Sequence, residues 1–236
     1  MTSKKIKKLD CFKCMFKETC IFNDLDLTVK KEWNSLKKPL SCENRHLVYK
    51  EGEAPDNIFI VCAGRVKTIT TDSTGQQMIT WIRHPGKIFG HVAFFSDRPH
   101  YTDAECMGKT TVSAIAGKSF KKLLKSYPKL PLLFLKRLSN DVCAMQINLK
   151  DTAYKPAKVK IANTLLKSIS FSSKDTASPT IHGLKRIEIA EITGLALETV
   201  VRALAAMEKS KIIKRETKSI KILDLAKLNK ISDKYL

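Results

Sequence analysis

The 236-residue chain has no run of apolar residues long enough to cross a bilayer, and its lysine-rich start lacks the apolar core of a secretion signal. These absences predict a cytoplasmic protein with no membrane partner. Acidic side chains are scarce as well, 23 Asp and Glu against 43 Lys and Arg, for a formal net charge of +20. Such an excess favours an anionic partner. Part of it is general surface, because residues 1–150 hold 26 basic and 14 acidic side chains and residues 151–236 hold 17 and 9. No paired acid and base marks a catalytic constellation, so an enzyme is not expected. A metal-dependent redox enzyme carrying an accessory DNA-binding segment would need such a pair. Apolar content of 43% is that of a globular chain long enough for one large domain or two ordinary ones.

Residues 186–215 read as a helix-turn-helix. Ile189, Ala190 and Ile192 give a first short helix its apolar side, and Gly194 supplies a permissive turn. Leu195, Val200, Leu204 and Met207 give a second helix its buried stripe. Leu197, Glu198, Val201 and Arg202 then share the outer face, where a recognition helix meets base edges in the major groove. Arg202 can grip a guanine bidentately, Glu198 can accept from a cytosine amino group, and Val201 offers an apolar contact suited to thymine. The expected partner is double-stranded DNA, as a palindrome with half-sites resembling TTGA one helical turn apart. Two β-type runs follow, around a polar turn from Lys211 to Leu223, with the shape of a wing whose Lys214 and Lys218 would meet phosphate. Ala196 breaks one local rule, standing where a capping hydroxyl is usual.

Upstream, short alternating runs between residues 38 and 118, separated by Gly52, Gly64, Gly75, Pro85 and Gly86, read as a β-rich domain. Strands are expected at Leu47–Tyr49, Ile58–Val61, Val66–Ile69, Met78–Ile82, Ile88–Phe89 and Val112–Ile115. After Pro131 the period changes. Leu135, Leu138, Val142, Met145 and Leu149 recur in alternating steps of three and four, a heptad-like seam. Such a helix either packs on its own β-domain or forms the spine of a dimer. The dimer is favoured because reading a two-fold operator needs a two-fold protein. The resulting division is a cysteine segment (1–24), a β-domain (25–130), a long helix (131–153) and a winged helix-turn-helix (154–236).

Three thiols, Cys11, Cys14 and Cys20, stand within ten residues. They can hold one side of a metal or iron–sulfur cluster, with Lys13 and Lys17 helping to keep them deprotonated. A zinc site also wants a fourth ligand, and His46 is not at finger-like spacing. Free thiols are the third reading, since disulfides are disfavoured in cytosol. Aliphatic residues are few before Leu25, which predicts that only ligation offsets the cost of ordering this segment.

Over nearly its whole length the sequence resembles the CRP/FNR family of bacterial transcription regulators. The resemblance is carried by Gly52 to Val61 with Gly64 and Gly75, by Pro85 to Gly90, and by Glu198 to Arg202. It implies an α+β protein: a double-stranded β-roll of cyclic-nucleotide-binding type, a dimerisation helix and a C-terminal winged helix, acting with RNA polymerase. Its cAMP-binding members carry a glutamate after the Phe-Gly pair and an arginine about ten residues later. Here those places hold His91 and the stretch Arg98–Asp103, so cAMP is not expected. Its oxygen-sensing, FNR-like branch shares the cysteine spacing, which implies a 4Fe–4S cluster and a response to oxygen, nitric oxide or redox state. The fourth ligand of that branch falls on Ser113, not a cysteine. Cys106 is the first replacement, followed by Cys62 on a roll strand or a carboxylate such as Asp103. Haem sensing through His91 and His100, or a constitutive or small-molecule-gated roll, remains the alternative.

Overall fold

Along Ile58–Val61 every residue is buried, which a single-faced strand cannot achieve, so both faces of this stretch must be covered. The computed structural model, which describes residues 9–169 and 179–233, shows how. Three 3-10 turns (Cys11–Lys13, Lys17–Thr19, Ile21–Asp24) lead into α1 (Leu27–Leu36). Then follow β1 (Lys38–Cys42), β2 (Leu47–Tyr49), β3 (Asn57–Ala63), β4 (Val66–Thr71), β5 (Gln77–Arg83), β6 (Ile88–Phe89), α2 (His91–Ser96), β7 (Asp103–Cys106), β8 (Thr110–Ala116) and α3 (Gly117–Ser126). The strands form two antiparallel sheets, ordered β1-β8-β3-β6 and β2-β7-β4-β5, which make the expected β-roll. All six expected strands are present. β1, β7, α2 and α3 have no legible period in the sequence, because their apolar content is too low or too short in span.

Pleat alternation divides the roll into two cores. Phe59 and Val61 of β3 and Val112 of β8 point between the sheets, where Cys42, Tyr49, Phe89 and Cys106 join them. Ile58 and Ile60 of β3 and Ile115 of β8 point the other way, against Trp33 of α1 and Phe120 of α3. The N-terminal segment corrects an expectation here. Cys20, Ile21, Phe22 and Leu25 are buried in this second core, so apolar burial is available to seat the segment and ligation is not its only source of order.

A 26-residue helix, α4 (Lys129–Tyr154), follows. The chain divides into two compact units within it, at Asn140/Asp141. Only Leu130 and Phe134 of α4 are buried, at its first two turns. Of the seam, Leu138 is half-buried, whereas Leu135, Val142, Met145 and Leu149 are exposed. Among the described residues no helix is long and apolar enough to cross a membrane.

The second unit continues with α5 (Ala157–Ile169), β9 (Thr180–His182), α6 (Arg186–Thr193), α7 (Leu197–Lys209), β10 (Ile213–Arg215), β11 (Ser219–Ile222) and α8 (Leu225–Asp233). Its sheet runs β10-β11-β9, so the wing hairpin gains a third strand from before the helix-turn-helix. Ile161, Leu165, Val200, Leu204, Met207 and Ile213 meet in one core.

Candidate functional site

The surface that the sequence assigns to DNA is built by the turn between α6 and α7. Gly194 closes α6 at φ +64°, a backbone state that a glycine adopts without the Cβ penalty, and its N–H returns to the Ala190 carbonyl. Glu188 caps the start of α6 by accepting from the Lys185 N–H at 2.8 Å. The first turn of α7 has no side-chain cap at Ala196. With Val200, Leu204 and Met207 fully buried, helical spacing turns Leu197, Glu198 and Arg202 outward, and all three are exposed, with Val201 half-buried beside them. The Arg202 guanidinium rests 3.5 Å from the Thr199 hydroxyl, a long contact that leaves it available for other acceptors.

At the far end of α7, Glu208 accepts from the Arg215 backbone N–H at 2.7 Å and from its guanidinium at 2.6 Å. These bonds hold the Glu208 carboxyl below the usual carboxylate range and tie the wing to the recognition helix. Lys214 and Lys218 stand exposed on the wing. The Glu208–Arg215 link has no short-range signature and was missed in the sequence.

The cysteine segment lies against the outer face of the β1-β8-β3-β6 sheet. Thr19 donates its hydroxyl to the Pro85 carbonyl at 3.3 Å, and a Cβ on Gly86 (φ +85°) would come within 2.7 Å of the Thr19 hydroxyl. The Cys11 N–H donates to Asn34 at 3.0 Å, and the ammonium of Lys37, itself buried, lies 2.6 Å from the Cys11 sulfur. Burial raises the Cys11 and Cys20 thiols, partly opposed by Lys37 at the first and by the Phe22 backbone and Arg137 at the second. Burial pushes the Cys62 thiol up to about 11; the Ser113 hydroxyl and Lys37 oppose this, whereas Cys11 and Cys14 add to it. Cys11 and Cys14 thus act electrostatically on both Cys20 and Cys62. The basic groups facing them are Lys37 and Arg137, where the sequence pointed to Lys13 and Lys17.

Cys106 lies elsewhere, which corrects its place as first replacement ligand. It is fully buried between the two sheets and hydrogen-bonded to Cys42, a pairing that lowers the Cys42 thiol and raises the Cys106 thiol. The sheet itself separates it from Cys11 and Cys20. Asp103 is also engaged, accepting from the Glu51 N–H at 2.8 Å.

On the roll, a pocket of about 280 Å³ is lined by Val48, Tyr49, Glu53, Ala54, Asp56, Asn57, Phe59 and His100. Its charged side chains are carboxylates. His100 stacks on Tyr49 with ring centroids 3.6 Å apart, and His91 is buried at the start of α2. Arg98 stands exposed beside Tyr101.

Comparison with known proteins places these units in one architecture. Residues 39–127 match the cyclic nucleotide-binding domain, and residues 159–231 match the Crp-like helix-turn-helix domain. The chain is 25% identical over 229 residues to the fumarate and nitrate reduction regulatory protein of Vibrio cholerae, covering 95% of this chain and 90% of that one. It is likewise 25% identical over 193 residues to the CRP-like cAMP-activated global transcriptional regulator of Mycobacterium tuberculosis, covering 81% and 86%. Among solved structures, FixK2 from Bradyrhizobium japonicum superimposes with a TM-score of 0.75 at 21% identity, over 83% of this chain and 96% of that one.

The chain belongs to the CRP/FNR family.

As a CRP/FNR-type protein it is a DNA-binding transcription regulator. The helix-turn-helix match covers every residue assigned to the DNA face, Leu197 to Lys218. The cysteine segment precedes the matched roll domain, so the thiols must be read from geometry.

Proposed function

We propose that this CRP/FNR regulator is a homodimer that answers oxygen, nitric oxide or redox state through an iron–sulfur cluster held in part by Cys11, Cys14 and Cys20. The observation that carries the reading is the buried Lys37 ammonium on the Cys11 sulfur. A buried ammonium ordinarily finds a carboxylate; here the partner is a thiol, and the charge has its natural counterpart in a thiolate set. The donor set fits the group. Among the described residues no three Cys, His, Asp or Glu side chains are spaced to hold a single metal ion. A four-iron cluster tolerates wider spacing because each thiolate binds a different iron. When bound, it supplies a thiolate-ligated centre that oxygen or nitric oxide can alter.

The protein's own part is to connect that site to α4. Cys20 shares its core with Leu130 and Phe134 at the start of α4, and Arg137, one turn on, bears on the Cys20 thiol. Leu135, the first seam residue, is the neighbour of Phe134 in sequence. Leu135, Val142, Met145 and Leu149, all exposed in the single chain, are the surface a second copy would cover. The two recognition helices would then present Leu197, Glu198, Val201 and Arg202 to a palindromic operator, with Lys214 and Lys218 on phosphate and RNA polymerase as the further partner.

Cyclic AMP does not fit this roll as well. The pocket carries Glu53 and Asp56, which would repel a cyclic phosphate, and Arg98 is outside its lining. The test of the whole reading is anaerobic purification followed by an absorption spectrum and iron, sulfide and zinc analysis. Iron and sulfide near four each per chain support it. One zinc, or no metal, refutes it.

A further inference from the structure

The CRP/FNR resemblance puts a serine, Ser113, where the fourth cluster ligand would fall, and the first replacement, Cys106, faces the wrong side of the sheet. We infer that Cys62, on the strand beside Ser113, is the fourth thiolate ligand of this chain. The inference rests on the cluster reading above and supplies the residue that reading lacks.

Three observations lead to it. In the β3–β8 ladder Ser113 pairs with Ile60, and both point toward the N-terminal segment, as Ile58 and Ile115 do. The register then shifts between Val61 and Ala63, so Cys62 is the residue inserted at a bulge, the device by which a strand re-aims one side chain. Its thiol lies 3.8 Å from the Ile60 carbonyl, and Ser113, Lys37, Cys11 and Cys14 all bear on it electrostatically. A thiol lost from β8 is thus replaced by one from the adjacent strand, one residue beyond the pair Ile60–Val61 that faces Ser113 and Val112.

Burial differs accordingly. Cys42 and Cys106 are sealed and paired with each other, whereas Cys62, like Cys11 and Cys14, is only partly covered. Cys143 is exposed on α4, in the other unit. Cys20 is the one buried member of the set, and the Coulombic effect of Cys11 and Cys14 on it keeps it within the group. Four thiolates around a cluster make a net anionic site, and Lys37 acts on both Cys11 and Cys62, the first and the proposed last ligand.

The experiment is anaerobic reconstitution of the full chain with ferrous iron and sulfide, read by iron and sulfide content and by the visible absorption and electron paramagnetic resonance spectra. The variants are Cys62→Ser, Cys106→Ser, Cys14→Ser and the double change Cys62→Ser with Ser113→Cys. Wild type and Cys106→Ser should load alike, Cys62→Ser should lose iron several-fold as Cys14→Ser does, and the double variant should recover it. Should Cys62→Ser not fold, loading by the double variant beside normal loading of Cys106→Ser still supports the assignment. Full loading of Cys62→Ser with an unchanged spectrum overturns it while leaving the cluster standing. A wild type that takes up no iron overturns the cluster reading and this assignment together.

Discussion

Lys37 and Cys11 meet at 2.6 Å, an ammonium and a sulfur brought together from either side of α1 across 26 residues. A buried cation facing thiols is costly in a metal-free protein and useful in a loaded one. The two states therefore predict opposite signs for one substitution.

Lys37→Met should leave the metal-free chain as stable as before, or more so, because it replaces a buried charge by an apolar side chain of similar length. The change in melting temperature should be zero or upward by a few degrees. In the loaded protein the same substitution removes the cation beside two thiolates, and iron loss in air should accelerate. A large loss of metal-free stability with unchanged iron retention would contradict this account.

Phe22 is 3% exposed and packs within the outer core of the roll. If burial seats the N-terminal segment, Phe22→Ala should cost about 3–5 kcal/mol in metal-free protein, measured by denaturant unfolding. A cost below about 1 kcal/mol would restore the view that ligation alone orders residues 11–24.

Arg202 is exposed on the outer face of α7, with a long contact to Thr199. Arg202→Ala should cost about 1–3 kcal/mol per half-site on a TTGA-type palindrome and relax the preference at the guanine. Lys214→Ala and Lys218→Ala should weaken all sequences alike and each reduce the salt slope by about one. Unchanged discrimination by Arg202→Ala in a binding titration would remove it from base readout.

Met145 is 55% exposed in the single chain, whereas Leu138 is half-buried within it, so Met145 is the cleaner probe of the seam. Met145→Glu should fold normally and sediment as a monomer, since two symmetry-related carboxylates would be buried against each other. An unchanged dimer would exclude this face as the spine.

His84 is held neutral by burial, with Arg65 and Lys87 adding repulsion, and its pKa falls from 6.5 to about 4. The unfolded chain therefore binds the extra proton first. The contribution of His84 to stability is complete above pH 6.5, declines as the pH falls to about 4 and is constant below that, a change of at most about 3 kcal/mol. His84→Gln should flatten this part of a stability–pH profile measured by urea unfolding. Identical profiles for the two proteins would show that other groups carry the acid sensitivity.

Local pattern alone determined much of this protein. The period of two placed six roll strands, the heptad steps placed α4, and Gly194 with the stripe Val200, Leu204 and Met207 placed the helix-turn-helix, because backbone geometry imposes each of those periods on any chain that buries one face. Glu198 and Arg202 were legible for the same reason, as the complement of a buried stripe. Pairing across the chain was not legible. Whether Cys106 or Cys62 lies near the cysteine segment depends on which sheet each strand joins and which face of it each side chain takes, and neither is written in local spacing. Lys37 and Arg137, the cations that bear on the thiols, are separated from them by 26 and 117 residues, and no local spacing links them. Tertiary structure decided those contacts, because side chains distant along the sequence become neighbours only once the sheet has set which face each one occupies.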